Sequence, residues 1–191
     1  MNHLATSHHH SSPARGSLLQ QALMTGLGLI TLVLTANFKI PLQPVPISLQ
    51  LLAVMLIGLF MPLRTVAVCV GLYTLAAFAF GQPIAAGNTL FTGGYLIGYL
   101  VAATFTAVLW SWAKERSSRF EQVVLTATGV TGGVVMVHLL GFLWGHVVMS
   151  SIHPQQTFGM TFATFTLPFL GIDLLKGVIA GLAALAVNLR R

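Results

Sequence analysis

Asp173 and Lys176 stand three residues apart in an apolar run, Leu167-Pro168-Phe169-Leu170-Gly171-Ile172-Asp173-Leu174-Leu175-Lys176. On a helix that spacing puts both side chains on one face, where they can partly neutralise each other. A charge at the centre of a bilayer costs about 2.5–3.5 kcal/mol on insertion scales, so a lone pair of this kind points to a ligand site. The bland alternative is an internal ion pair that only locks helices together. An ionised carboxylate accepts hydrogen bonds and an ammonium donates them, so the pair can meet both a donor and an acceptor on one polar ligand. The other acidic residues, Glu115 and Glu121, flank a polar loop. Further polar groups recur upstream: Ser48 and Gln50, then Asn88, then Thr92-Gly93-Gly94-Tyr95 with Tyr99 one helical turn on. The two glycines either expose N–H groups at a helix start, which suits a polar or anionic group, or let two helices approach closely.

These residues need membrane helices to position them. Hydrophobic residues make up 55% and charged residues 6% of the 191, whereas a soluble domain carries about 25% charged residues. The expected fold is all-α and membrane-embedded: a polar tail over 1–17 and a single six-helix bundle over 18–191. Apolar stretches near the ~20 residues that cross a bilayer fall at 18–36, from Ile47 to before Met61-Pro62, and at 64–80, 93–112, 122–148 and 162–189. The second and third are separated only by Met61-Pro62-Leu63-Arg64, which predicts a tight helical hairpin. With the amino terminus in the cytoplasm, Arg15, Arg64, Lys114, Arg116, Arg119, Arg190 and Arg191 fall inside and only Lys39 outside, a positive-inside pattern. Both termini are then cytoplasmic, and loops 37–46, 81–92 and 150–161 face outward. Trp110 and Trp112 beside Lys114 suit an interfacial anchor. The net charge of +6 is dispersed over segment ends, so it reads as topology signal and not as a nucleic-acid surface. The single Cys69 can form no internal disulfide and reads as helix-packing filler. Asp173 lies two to three turns from the outer end of the last helix, level with the base of the outer loops. Pro41, Pro44 and Pro46 make the first of those loops extended and stiff. Together these features predict an outward-facing pocket.

Three segments carry a family resemblance. Pro44-Val45-Pro46-Ile47-Ser48-Leu49-Gln50-Leu51-Leu52-Ala53-Val54, Thr92-Gly93-Gly94-Tyr95-Leu96-Ile97-Gly98-Tyr99 and Pro168-Phe169-Leu170-Gly171-Ile172-Asp173-Leu174-Leu175-Lys176 resemble, in order, the PVPxTLQxLAV, PTGGYLxGF and PFLPGDxxK signatures of the BioY family of bacterial biotin transporters. Phe91 stands where that family often has Pro, and Ile172 where Gly usually precedes the Asp. The resemblance implies the substrate-binding S component of an energy-coupling factor (ECF) transporter in the bacterial cytoplasmic membrane. It implies a six-helix bundle that binds biotin near the outer face, with no cofactor. It also implies a transmembrane coupling protein and ATPase subunits as partners, since GxxxxGK[ST] is missing from this sequence.

Biotin offers a ureido ring, with two N–H donors and one C=O, and a carboxylate tail. The implied contacts are Asp173 to a ureido N–H and Asn88 and Gln50 to the ring. Tyr95, Tyr99 and the Gly94 region would form the pocket wall, and Lys176 would meet either the ligand carboxylate or Asp173. Ala22 and Gly26 form a small-residue stripe that suits the coupling protein or ordinary bundle packing. Two other functions compete. A nickel or cobalt S component is prompted by His3, in a tail that also carries His8-His9-His10 and is either native or an added segment. A rhomboid-like intramembrane protease needs Ser and His; His138 and His146 are present, but the Gly-x-Ser-x-Gly turn is missing.

Overall fold

The computed structural model describes residues 15–188; the His-bearing tail, Arg190 and Arg191 lie outside the described residues. Seven helices and one short β-ribbon follow in chain order: α1 (Arg15–Asn37), β1 (Lys39–Ile40), β2 (Ile47–Ser48), α2 (Gln50–Phe60), α3 (Leu63–Phe80), α4 (Thr89–Lys114), α5 (Arg119–Ile152), α6 (Phe158–Phe165) and α7 (Leu167–Asn188). Five of them, α1, α3, α4, α5 and α7, are long and apolar enough to cross a membrane. The second expected span is the short α2, which begins only at Gln50. Its 11 residues reach about 16 Å at 1.5 Å per residue.

The sixth expected span is broken in two at Thr166, where backbone angles leave the helical region. Pro168 has no N–H to donate and belongs in a first helical turn. A new helix therefore starts at Leu167, with the N–H groups of Phe169 and Leu170 both donating to the Thr166 carbonyl at 3.1 Å. Side-chain caps mark other starts: Asn88 accepts from Leu90 N, Ser118 from Glu121 N and Thr157 from Met160 N. Gly81 closes α3 with a φ of 63°, a conformation that glycine adopts freely.

The α4–α5 pair is the spine of the bundle; α2 and α3 pack on α4, α7 packs on α5 and α2, and α1 lies against α3 and α2. The expected α2–α3 hairpin does not pack along its length. Met61 and Pro62 are both extended, so the two helices diverge and each finds α4 instead. Glycines let the spine close: a Cβ at Gly98 would lie 2.8 Å from the Val137 Cα, and one at Gly141 would enter the Tyr95 ring. The core centres on Tyr73, Phe165, Leu32, Met55 and Leu59. At the end bearing Lys114, Trp112 is exposed, while Trp110 is buried, with the Lys114 ammonium 5.9 Å from its ring. Only Trp112 therefore fits the expected anchor.

Candidate functional site

Asp173 sits two turns into α7, about 9 Å along the axis from Leu167. Its side chain is 13% exposed and is held on both oxygens. Lys176 Nζ donates to Oδ1 at 2.6 Å, and His138 Nε2 of α5 lies 3.1 Å from Oδ2. Lys176 also donates to the Ser48 carbonyl of β2 at 2.7 Å. One buried ammonium thus ties α7 to the β-ribbon across 128 residues of sequence. The Asp173 and Lys176 charges offset each other within the pair. Removing one partner of such a buried pair typically costs about 3–5 kcal/mol, because the other charge is stranded.

Gln50 opens α2 and is only 2% exposed. Its amide donates to the Tyr73 hydroxyl, which donates in turn to the Ile84 carbonyl at 2.8 Å; Ser48 Oγ lies 3.3 Å from Gln50 Oε1. This chain of bonds links the start of α2, the middle of α3 and the loop before α4. Tyr95 and Tyr99 are buried on one face of α4; the Tyr95 hydroxyl donates to the Phe165 carbonyl at the α6–α7 break. The Tyr95 ring meets the His138 ring edge-on, with centroids 6.1 Å apart.

These side chains enclose a cavity of about 30 Å³ between Asp173, Lys176, Gln50, Ser48, Tyr95 and Tyr99, roofed by Val45, Pro46, Ala86 and Gly87. Above that roof lies a second cavity of about 230 Å³, lined by Lys39, Gln43, Gln82 and Asn88 among others. Pro46, Ala86 and Gly87 line both and form the partition.

Five residues expected at the site thus converge on the inner cavity: Asp173, Lys176, Gln50, Tyr95 and Tyr99. Two do not. Asn88 caps α4 and opens on the outer cavity, because its Oδ1 is taken by Leu90 N at 2.9 Å. Gly94 faces α5, where its Cα packs against the Leu140 carbonyl and Trp144. Helix α4 starts at Thr89, so both glycines are already inside it, and close packing is the use the geometry makes of them. Ala22 and Gly26 lie outside the bundle interior: Ala22 is exposed, and nothing lies within 4 Å of a Cβ placed on Gly26. From the sequence, His138 is expected to pack between helices or to touch the pocket rim, and Tyr73 carries no signal; the tertiary fold sets His138 against Asp173 and Tyr73 against Gln50.

The rival chemistries find little support in the geometry. His146 does meet a serine, but Ser150 Oγ donates to the His146 carbonyl at 2.5 Å, one turn back on the same helix. Among the described residues no cluster of three or more His, Cys, Asp or Glu could hold a metal ion; His3 lies outside them.

Known proteins resemble this chain in sequence and in fold. The biotin transporter BioY of Thermotoga maritima is 29% identical over 179 residues, covering 89% of this chain and 96% of the relative. The biotin transporter BioY2 of Lactococcus lactis subsp. cremoris is 26% identical over 176 residues, covering 88% and 90%. Among solved structures, the S-component for biotin from an ECF-type ABC transporter superposes with a TM-score of 0.73 at 16% identity, over 92% of this chain and 94% of that one. That likeness concerns the fold. The sequence model of the BioY family matches residues 5–191, so the match extends from α1 well into the amino-terminal tail, and the chain belongs to the BioY family.

Proposed function

We propose that this chain binds biotin and serves its uptake across the bacterial cytoplasmic membrane, as the substrate-specific S component of an ECF-type transporter. The observation that carries the reading is the inner cavity: a charge-neutral polar floor of Asp173, Lys176 and Gln50 beneath two tyrosine rings. A ureido ring matches such a floor. Asp173 has lone pairs left for an N–H, Gln50 has a second amide N–H for the ring carbonyl, and Tyr95 and Tyr99 give apolar faces to the thiophane. Pockets for ligands of this size run to about 300–1,000 Å³, so binding requires the partition at Pro46, Ala86 and Gly87 to part and merge the two cavities.

Two further parts of the reading concern the surroundings. Counting α2 with the five long helices gives six passes and both termini in the cytoplasm, which the charge distribution supports: Arg64, Lys114, Arg116 and Arg119 lie at one end and Lys39 at the other. Transport without a Walker A motif needs partners, a coupling membrane protein and ATPases, and the chain itself is a carrier component and not an enzyme. Ala22 is exposed and a Cβ on Gly26 would meet open space, which supports docking of the coupling protein on this stripe of α1, since small residues allow close helix approach.

Calorimetric titration of the detergent-purified chain with biotin, riboflavin, thiamine and Ni²⁺ side by side tests the substrate. Biotin alone is expected to bind. A folded chain that ignores biotin would overturn the proposal, and saturable binding of Ni²⁺ alone would favour the metal-specific alternative.

A further inference from the structure

Lys39 is a cation with no acidic partner among the described residues. The chain contains only 3 Asp and Glu residues. Asp173 is held by Lys176 and His138. Glu115 caps the far end of α4, about 39 Å along its axis from Thr89 at 1.5 Å per residue, and Glu121 lies in the first turn of α5. The Lys39 ammonium makes one hydrogen bond, to the Ala86 carbonyl at 2.6 Å, which leaves two of its three donors free. It lines the outer cavity, where Gln43, Gln82 and Asn88 add further amide donors. The Asn88 oxygen is occupied by its capping bond, so that side chain has only its NH₂ to offer.

The backbone fixes Lys39 close to the inner site. In the β-ribbon Lys39 pairs directly with Ser48, and directly opposed residues project to the same face of the ribbon. Ser48 lines the inner cavity and its carbonyl receives Lys176. Ala86, the acceptor for Lys39, belongs to the partition between the cavities. A ligand passing through an opened partition would therefore leave its outer end beside the Lys39 ammonium.

The inner floor is a poor place for a ligand carboxylate. Lys176 is spent on Asp173 and Ser48 and is 6% exposed. An anion brought to it would sit against the Asp173 carboxylate, and like charges in a low-dielectric site repel strongly. The two ends of the site thus differ in charge: neutral and two-sided at Asp173, cationic and donor-rich at Lys39.

We propose that Lys39 and the outer cavity form a carboxylate-recognition subsite, which holds the acidic tail of the ligand while its neutral ring lies at Asp173. The inference rests on the biotin reading above and assigns the two ends of that ligand. Charge-assisted hydrogen bonds of this kind are about twice as strong as neutral ones, and Lys39 is the residue that makes them here.

The test compares biotin with biotinamide, which keeps the rings and chain but has no charge. Both are titrated into the wild-type chain, Lys39→Met and Lys39→Gln. The Gln variant retains a donor for the Ala86 carbonyl without the charge, so it separates ligand recognition from a latch on the partition. Wild type is expected to prefer biotin over biotinamide by about tenfold or more, a free-energy difference of about 1.4 kcal/mol. In both variants that preference should collapse through loss of biotin affinity, with biotinamide affinity unchanged. A wild-type chain that binds both equally, a preference that survives in Lys39→Gln, or parallel loss of both ligands in that variant would each overturn the inference while leaving biotin binding intact. A folded wild-type chain that binds neither ligand would overturn the biotin reading itself, and this inference with it.

Discussion

Asp173 is restrained on both oxygens, and that restraint sets what it can offer a ligand. Each carboxylate oxygen has about two lone-pair sites; Lys176 uses one on Oδ1 and His138 one on Oδ2, so one remains on each side. Asp173→Asn keeps the shape but loses a charge-assisted acceptor, worth about 1.5–3 kcal/mol. Biotin affinity should fall by roughly one to two orders of magnitude. His138→Leu removes a donor to Oδ2 without touching the Lys176 bond or the ligand-facing lone pairs, and should weaken binding less than Asp173→Asn does. Isothermal titration together with melting temperatures checks both. Reduced stability with unchanged affinity would assign the cluster to helix packing alone. At this scale the sequence was most legible where a charge is expensive: Asp173 and Lys176 stand out in an apolar run whatever the fold. Asn88 was not legible, because the same side chain that suits a ureido ring also suits a helix cap, and only the position of Thr89 at the start of α4 decides between them.

Among the elements, the α4–α5 spine and the outer face of α1 make opposite use of small residues. A side chain at Gly94 would collide with the Leu140 carbonyl and the Trp144 side chain, whereas Gly26 faces open space. Gly94→Leu should therefore destabilise the chain by about 1–3 kcal/mol, the usual cost of overpacking, seen as a lower melting temperature. Gly26→Leu should leave melting temperature and biotin affinity unchanged but weaken copurification with the coupling protein and uptake in cells. Uptake unaffected by Gly26→Leu would remove α1 from the docking surface. The sequence alone left both glycine stripes ambiguous between packing and recognition, since small-residue spacing is the same in each. The split of the last span into α6 and α7 was readable in principle from Pro168. No charged residue falls between Phe162 and Ile172, so by composition the stretch reads as one span.

Across the whole molecule, the charge distribution supports the proposed orientation. Cys69 is buried and is the sole cysteine, so a Cys69→Ala background gives a clean platform for labelling. Gln43 and Ser117 are both exposed, on connections at opposite ends of the bundle. In intact spheroplasts a membrane-impermeant thiol reagent should label Gln43→Cys, and should reach Ser117→Cys only after permeabilisation. The reverse pattern would invert the topology and place the candidate site on the cytoplasmic side.

The amino-acid sequence by itself determined that the chain belongs in lipid, roughly where most of its long helices fall, and which polar groups are unusual there: Asp173 and Lys176 above all, then Gln50, Asn88, Gly94, Tyr95 and Tyr99. Those properties are local: composition, apolar run length and the cost of a charge can be read without knowing what lies across the bundle. Tertiary structure alone decided which polar groups meet. It brought His138 to Asp173 over 35 residues and Lys176 to Ser48 over 128. It turned Gly94 into a packing contact and set Lys39 against Ala86 beside the partition. Such pairings depend on helix rotation and on the break at Thr166, and neither leaves a periodic mark in the chain.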